Sequence, residues 1–190
     1  YHRLKKAICW ILRVRNVLRK NAQIKGVITL PEMTNAEKFI LKHVQSSVYA
    51  QEIKRLKSEG HVQISSAIRK LDPVLDSDDL LVVGGRLNYA PVTSSTRHPM
   101  ILPYDHRLSL LIVEDSHNAT HLGTEWTLSQ LRHKFWITKC RKLILNVKSK
   151  CVTCKKLFGQ TMNQKMAHLP PERCFSGGAP FSYCGCDVFQ

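Results

Sequence analysis

The chain has 190 residues, enough for one or two small domains, and its apolar residues never form the run of about 18 that a membrane-spanning helix requires. Its formal net charge is +15, and the basic blocks at residues 1–27 and 124–160 account for all of that excess. A positive field clustered in this way favours a polyanionic partner, most simply nucleic acid, over a generic solvated basic surface. We expect no membrane partner and no small-molecule substrate.

The composition also indicates a fragment of an intracellular protein. The sequence opens on Tyr1 rather than Met and stops at Gln190 without a tail-like composition, so we expect a piece of a longer polypeptide. No signal-peptide cleavage site follows the apolar patches near the N-terminus. The seven cysteines are odd in number and mostly far apart, unlike a secreted disulfide framework. A reducing compartment, the nucleus or the cytoplasm, is therefore predicted.

Residues 1–30 are predicted to form a basic amphipathic helix and a linker. A loose apolar stripe, made of Ile8, Ile11, Leu12 and Val17, lies among arginines and lysines. Such a helix could lie on a membrane surface. We favour the alternative that it packs on a neighbouring domain outside this chain.

Residues 33–103 are predicted to form a long helix followed by a short β-hairpin. Pro31 breaks the chain, and Thr34-x-x-Glu37 has the pattern of a capping box. The helix that it opens should run to about Leu56, and Gly60 should end the helical region.

The hairpin is predicted from two β-prone runs, Leu80 to Val83 and His98 to Leu102. Gly84-Gly85 allows a bulge or a sharp bend after the first run. Before the hairpin, residues 65–71 are expected to be a short helical or irregular piece.

Residues 104–160 are predicted to form a small three-helix, helix-turn-helix-like domain. We expect Asp105, Thr124 and Thr138 to cap the three helices and Gly123 to end the first. Apolar residues at helical spacing should face the core: Leu108, Leu111, Ile112, Leu128, Leu131, Phe135, Ile144 and Val147. Residues 161–180 then read as a linker and residues 181–190 as the first strand of a truncated domain. The predicted fold class is mainly α.

Four residues in the 104–160 region predict a metal site. His117 and His121 follow the pattern H-x3-H, and Cys151 and Cys154 follow C-x2-C after 29 intervening residues. Histidines four apart share one face of a helix. Two imidazoles and two thiolates form a closed tetrahedral Zn2+ site, which leaves no open position for a substrate. The predicted cofactor is therefore structural zinc, and the competing interpretation is a core histidine pair with two free thiols.

The size of this region explains why a metal would be useful. About 50 residues make a marginal core, and structural zinc contributes on the order of 10–16 kcal/mol in small zinc-folded peptides. Removal of the metal is expected to unfold residues 105–156.

Four other histidines and cysteines are not expected to bind the metal. His133 is expected to be solvated or to face a phosphate, and Cys140 to be a small core residue. Cys184 and Cys186 are interpreted as thiols inside a strand.

Seven short segments between about residue 35 and the end of the chain occur in a fixed order. They are Leu81-Val-Val-Gly-Gly-Arg-Leu87, His98-Pro-Met-Ile-Leu-Pro103, His117-x3-His121-Leu-Gly123, Thr127-Leu-x-x-Leu-Arg132, Phe135-Trp-Ile137, Cys151-x2-Cys154 and Met166-Ala-x-Leu-Pro170. In this order they resemble the integrase region of long-terminal-repeat retroelement polyproteins, and most closely the Bel/Pao-like retrotransposons. The resemblance implies a linker region, an HHCC zinc-binding domain and the start of an RNase H-like catalytic core.

The same resemblance aligns Asp187 with the first of three core carboxylates that hold two metal ions. Two-metal phosphoryl transfer needs several carboxylates, and one Asp three residues from the end of the sequence does not supply them. We therefore expect no catalysis by these 190 residues themselves.

The leading functional hypothesis is a zinc-dependent module that binds DNA and supports assembly for DNA integration, with self-association as a further possibility. The candidate nucleic-acid-binding residues are Arg132, Lys134, Lys139, Arg141, Lys142, Lys148 and Lys150. Their contacts would go mainly to phosphates. The alternatives are a domesticated fragment that acts as a protein-interaction adaptor, a piece of a complete integrase enzyme, and a decaying element copy whose product has no function.

Overall fold

The computed structural model describes residues 1–19, 26–85, 87, 89–160, 162–163, 165–174, 177–182, 184 and 186. The chain divides into two compact units, Tyr1–Phe158 and Gly159–Gln190. Eight α-helices, one short 3-10 helix (Arg69–Leu71) and four short strands are described in the first unit. The helices are α1 (His2–Leu18), α2 (Leu30–Val48), α3 (Ala50–Glu59), α4 (Ser94–Arg97), α5 (Arg107–Thr120), α6 (Thr124–Arg132), α7 (Cys140–Lys150) and α8 (Val152–Phe158). The strands are β1 (Pro73–Leu75), β2 (Leu81–Val83), β3 (Met100–Leu102) and β4 (Phe135–Ile137).

The predicted fold class is confirmed: the protein is mainly α with a small sheet. The strands lie in the order β1-β2-β3-β4. The first two pairings are antiparallel, so the predicted hairpin of β2 and β3 is present, whereas β3 and β4 run parallel. The strands β1 and β4 were not predicted, and Phe135, which lies in β4, was expected on the inner face of a helix. Three residues are too few to show a periodicity, so these segments become strands only by pairing, β1 with the nearby β2 and β4 with the distant β3.

A buried glutamine joins the two central strands. The register of β2 on β3 is a single pair, Val82 with Met100. Gln45 of α2 is 1% exposed, and its Nε2 donates to the carbonyls of Leu81 and Ile101 at 2.8 Å each. Its Oε1 accepts from the Leu81 amide, also at 2.8 Å. The side chain thus extends a ladder that the short strands leave incomplete.

The helix α1 packs on α2 of the same chain. Cys9 and Arg13 are buried in this contact. Arg13 donates from two nitrogens to the two carboxylate oxygens of Glu32, at 2.7 Å each. The structure therefore corrects the expectation that the inner face of this helix packs on a domain outside the chain.

The start of α2 also differs from the prediction. The capping box is Thr29 with Glu32, five residues before the predicted Thr34 with Glu37, and the helix begins at Leu30. Pro31 fits in the first turn, where no amide partner is needed, so it does not break the chain there. The helical region is interrupted at Tyr49, and α3 ends as predicted at Gly60, which adopts φ 74°.

The main hydrophobic core extends over most of the first unit. Its buried residues come from α2, α5, α6 and α7, from β3 and β4, and from the residue directly before β2: Ile40, Leu41, Val44, Leu80, Leu102, Leu108, Ile112, Val113, Leu128, Leu131, Phe135, Ile137, Cys140, Leu143 and Ile144. A smaller core cluster is made of Tyr49, Ile68, Leu81 and Ile101. The helices around the predicted metal site therefore share one core with α2.

The second unit has one short described helix, α9 (Pro171–Cys174). Cys184 and Cys186 are exposed and belong to no described strand, so the interpretation as strand-interior thiols is wrong for these two residues. Most of the predicted strand over residues 181–190, including Asp187, lies outside the described residues. Among the described helices, none combines the length and the apolar character needed to cross a bilayer.

Candidate metal centre

Two strand-and-helix legs carry the four predicted ligands. The first leg is β3 followed by α5, which ends in the region of His117 and His121. The second is β4 followed by α7, which ends at Cys151 and leads to Cys154 in α8. The strands of the two legs pair in parallel and their helices pack on each other. Both ligand pairs are therefore delivered to the same end of the unit.

Polar contacts fix the turns where each strand passes into its helix. The Nδ1 atom of His106 accepts from the Leu108 amide at 3.0 Å, so the cap of α5 is His106 and not the predicted Asp105. Thr138 does not cap α7, because its Oγ1 accepts from the Tyr104 amide at 3.0 Å and so links the two turns. The residue before α7 is Lys139, with φ 52°.

The two histidines occupy different backbone environments. His117 lies inside α5 and is fully buried. His121 is the C-cap of α5 and adopts a left-handed conformation with φ 51°. The prediction that both lie on one turn of a helix is therefore wrong for His121. Gly123, predicted to end α5, is instead the N-cap of α6.

The ligand atoms converge at distances that suit zinc. One ligand atom from each of His117, His121, Cys151 and Cys154 lies within 4.8 Å of all the others. Cys151 Sγ is 3.3 Å from His121 Nδ1, and Cys154 Sγ is 3.3 Å from His117 Nε2 and 3.9 Å from His121 Nδ1. Zinc–ligand bonds of about 2.0–2.3 Å in a tetrahedron separate neighbouring nitrogen and sulfur atoms by about 3.4–3.8 Å. The prediction of structural zinc is confirmed.

Burial and neighbouring groups shift the pKa values of three of the ligands in different directions. Burial, followed by the neighbouring His121 and Lys148, lowers the pKa of His117 and favours the neutral imidazole that binds metal. The backbone amide of Cys154 lowers the pKa of the Cys151 thiol, whereas burial raises the pKa of Cys154. A bound cation would supply the positive charge that a buried Cys154 thiolate lacks.

Two of the residues set aside as ligands lie away from this cluster. Cys140 is buried in the main core, where burial raises its pKa to about 11, and the prediction of a core residue is confirmed. His133 is exposed at the end of α6 and lines a cavity next to Trp136.

The candidate nucleic-acid-binding residues are not equally accessible. Lys134 forms an ion pair with Glu37, a mostly buried carboxylate that also accepts from the Tyr1 hydroxyl at 2.8 Å. Burial acts to raise the pKa of Glu37, but the contacts with Lys134 and Tyr1 outweigh it and lower that pKa. Lys134 therefore contributes to the fold. No local pattern signals this pairing, because 97 positions separate the two residues.

The other six candidates lie at the surface or against aromatic rings. Arg141 forms an exposed ion pair with Glu125 at 2.8 Å. Three cations lie near ring centroids: Arg132 at Trp136 (5.1 Å), Lys142 at Tyr104 (6.0 Å) and Lys148 at Phe158 (5.5 Å). Lys139 and Lys150 are exposed.

Comparison with known families agrees with this geometry. Residues 104–157 match the model of the integrase zinc binding domain, a segment that contains all four ligands. For residues 104–157, the prediction of an integrase-type zinc-binding region is confirmed. No curated protein matches the chain, and no solved structure matches it.

Proposed function

We propose that this chain is part of the integrase of a long-terminal-repeat retroelement, of Bel/Pao-like type, and that its zinc-stabilised region binds DNA and supports assembly of the integrating complex. The observation that carries the proposal is the HHCC cluster inside a segment that matches the integrase zinc binding domain. The resemblance of the flanking segments supports the retroelement assignment. A nuclear or cytoplasmic location follows from this function.

In this proposal the protein's own residues perform two tasks. The four ligands hold the ends of α5 and α7 together, and zinc supplies the bond that fixes them. This fixed end positions α7, whose exposed cations include Lys142 and Lys150, with Lys139 directly before it. Lysines in these positions suit phosphate contacts, which position a protein on DNA without reading sequence.

Binding to duplex DNA at several salt concentrations tests the proposal. We expect the affinity of the zinc-loaded protein to fall steeply with salt, because each neutralised phosphate contributes a slope of about −0.9 in the logarithmic plot. Replacement of Lys139 and Lys142 by Ala should reduce that slope by about two. A matched variant, with the exposed Lys54 and Lys57 of α3 replaced by Ala, removes the same charge and should leave the slope unchanged. A flat salt response of the native chain contradicts DNA binding.

A protein-interaction function is the second candidate, and the outer face of α1 favours it. Trp10, Ile11, Val14 and Leu18 lie at helical spacing and are between 45% and 77% exposed. This stripe on α1 offers an apolar surface to a partner protein. Light scattering with and without DNA separates the two functions, since an adaptor should associate without DNA.

A further inference from the structure

Two adjoining cavities form a groove between the sheet and α6. The larger has a volume of about 1040 Å3 and the smaller about 410 Å3. Both are lined by Leu128, Arg132 and Trp136, so these three residues mark the junction between them. We call the joined cavities the basic groove. The larger cavity has the size of a ligand pocket, for which about 300–1,000 Å3 is typical.

Positive side chains lie at both ends of the basic groove. Lys70 and Arg97 line the larger cavity, and Lys139, Arg141 and Lys142 line the smaller one. Two carboxylates, those of Asp72 and Glu125, line the larger cavity as well, and Glu125 is paired with Arg141. The balance is positive, and the cations are spread along the groove, as a polyanionic strand would require.

Some of these groups are held in place before any ligand arrives. A terminal nitrogen of Arg97 donates to the carbonyls of Ala90 and Val92, at 2.9 and 3.3 Å. Gly84 lines the larger cavity, and its amide donates to the carbonyl of Asp72 at 3.0 Å. A Cβ atom at Gly84 would clash with that carbonyl oxygen, so the two backbone segments of this wall pack directly on each other.

A tryptophan–arginine pair lies at the junction of the two cavities. The indole of Trp136 is half-buried, and the guanidinium carbon of Arg132 is 5.1 Å from its ring centroid. The backbone of Trp136 is fixed in β4, opposite Ile101 of β3. Tryptophan and arginine planes are the surfaces on which unpaired bases stack in proteins that bind single strands.

We propose that the basic groove holds unpaired nucleotides at the end of a nucleic-acid strand, with one base against the Arg132–Trp136 pair and the flanking phosphates near the cations at both ends. This inference rests on the proposed DNA-binding function and assigns part of its substrate. A paired duplex keeps its bases stacked on one another, so it offers no base face to a platform inside a groove. The groove therefore distinguishes frayed or overhanging ends from blunt ones.

Fluorescence anisotropy with two matched DNA ligands tests the inference on the zinc-loaded full chain. One ligand is a blunt duplex, and the other is the same duplex with a short unpaired overhang. We expect the overhang to strengthen binding by about tenfold, which is within the range of one base stacked on an aromatic side chain. Trp136→Leu should abolish this increment and leave the affinity for the blunt duplex unchanged.

A matched control is available on α1. Trp10 is also partly exposed and also lies 5.1 Å from an arginine carbon, that of Arg13, but it is far from the groove in sequence and absent from its lining. Trp10→Leu should keep the increment. If Trp136→Leu fails to fold, Arg132→Gln at the exposed end of α6 removes the same pair and should give the same loss.

The outcomes separate this inference from the proposed function. If the overhang adds nothing while the blunt duplex binds in a salt-dependent way, the groove inference is wrong and the proposed function stands. If neither ligand binds, both fail. If the increment survives in both Trp136→Leu and Arg132→Gln, or if an acidic peptide displaces the overhang better than a single-stranded oligonucleotide does, the groove does not hold nucleotides.

Discussion

At the scale of single residues, Gln45 connects three backbone groups of the buried sheet. Its side chain satisfies three buried backbone groups, the carbonyls of Leu81 and Ile101 and the amide of Leu81. We expect Gln45→Met to lower the free energy of unfolding by about 3 kcal/mol, because each buried group left without a partner costs about 1–3 kcal/mol and part of that is recovered by relaxation. Gln51→Met, on the exposed surface of α3, is the control. Chemical denaturation measures the difference, and equal midpoints for the two variants would contradict the role of Gln45.

The ion pair between Glu32 and Arg13 makes the stability of the protein depend on pH. Its hydrogen bonds with Arg13 and then with the Thr29 amide and hydroxyl lower its pKa from 4.5 to about 2 in the folded chain. A carboxyl whose folded pKa is lowered stabilises the protein above pH 4.5, and this contribution is lost as the pH falls from about 4.5 to 2. We expect the difference in Tm between the native chain and Glu32→Gln to shrink over that window. Because both proteins carry the same metal site, its own acid sensitivity cancels in the difference, and a constant difference would contradict the prediction.

At the scale of elements, the zinc fastens the ends of α5, α7 and α8 but not the sheet. After removal of the metal by a strong chelator, we expect faster hydrogen exchange in α8, for example at the Lys155 amide, which donates to the Cys151 carbonyl at 3.1 Å. The Leu81 amide, bonded to Gln45, should keep its protection. This expectation replaces complete unfolding of residues 105–156, because their helices also pack in the main core with α2. Equal loss of protection at both amides would show that the metal holds the whole unit.

The helices were predictable to the extent that their signals are local. Leu108 with Ile112, and Leu128 with Leu131, are buried at the helical spacing from which α5 and α6 were predicted. The caps were harder, because several residues near each helix start can accept a hydrogen bond, and tertiary contacts decided among them. Thr138 is the clearest case, since its hydroxyl serves the Tyr104 amide of the other leg.

At the scale of the whole molecule, the shared core predicts that the zinc-binding segment depends on α2. Ile40, Leu41 and Val44 of α2 are buried in the same core cluster as the helices of that segment. We expect zinc-loaded residues 104–158 to melt more than about 10 °C below residues 1–158, since each of these side chains contributes about 1.5–3 kcal/mol by burial. A chain of residues 26–158, which keeps α2, should lie between the two. Equal Tm values for the three chains would contradict this dependence.

In the candidate site, as in the helices, features with a local sequence pattern were predictable and features made of distant residues were not. The four zinc ligands come as two local pairs whose spacing and chemistry are visible in the sequence, and the structure brings them together. The basic groove is signalled only in part. Arg132, Lys139, Arg141 and Lys142 were already candidate nucleic-acid-binding residues from the clustered charge. Lys70, Arg97 and Trp136 come from separate parts of the chain, and only the folding of the sheet against α6 makes them neighbours.

The two parallel legs have a consequence for the order in which the chain is assembled. During synthesis the histidine pair emerges 29 residues before the cysteine pair, so the first leg alone offers a metal only two of its four ligands. Two imidazoles are a weak site, and the ion must wait for β4 to dock beside β3 and for α7 to lie along α5. We therefore expect tight zinc binding only after the second leg has packed on the first.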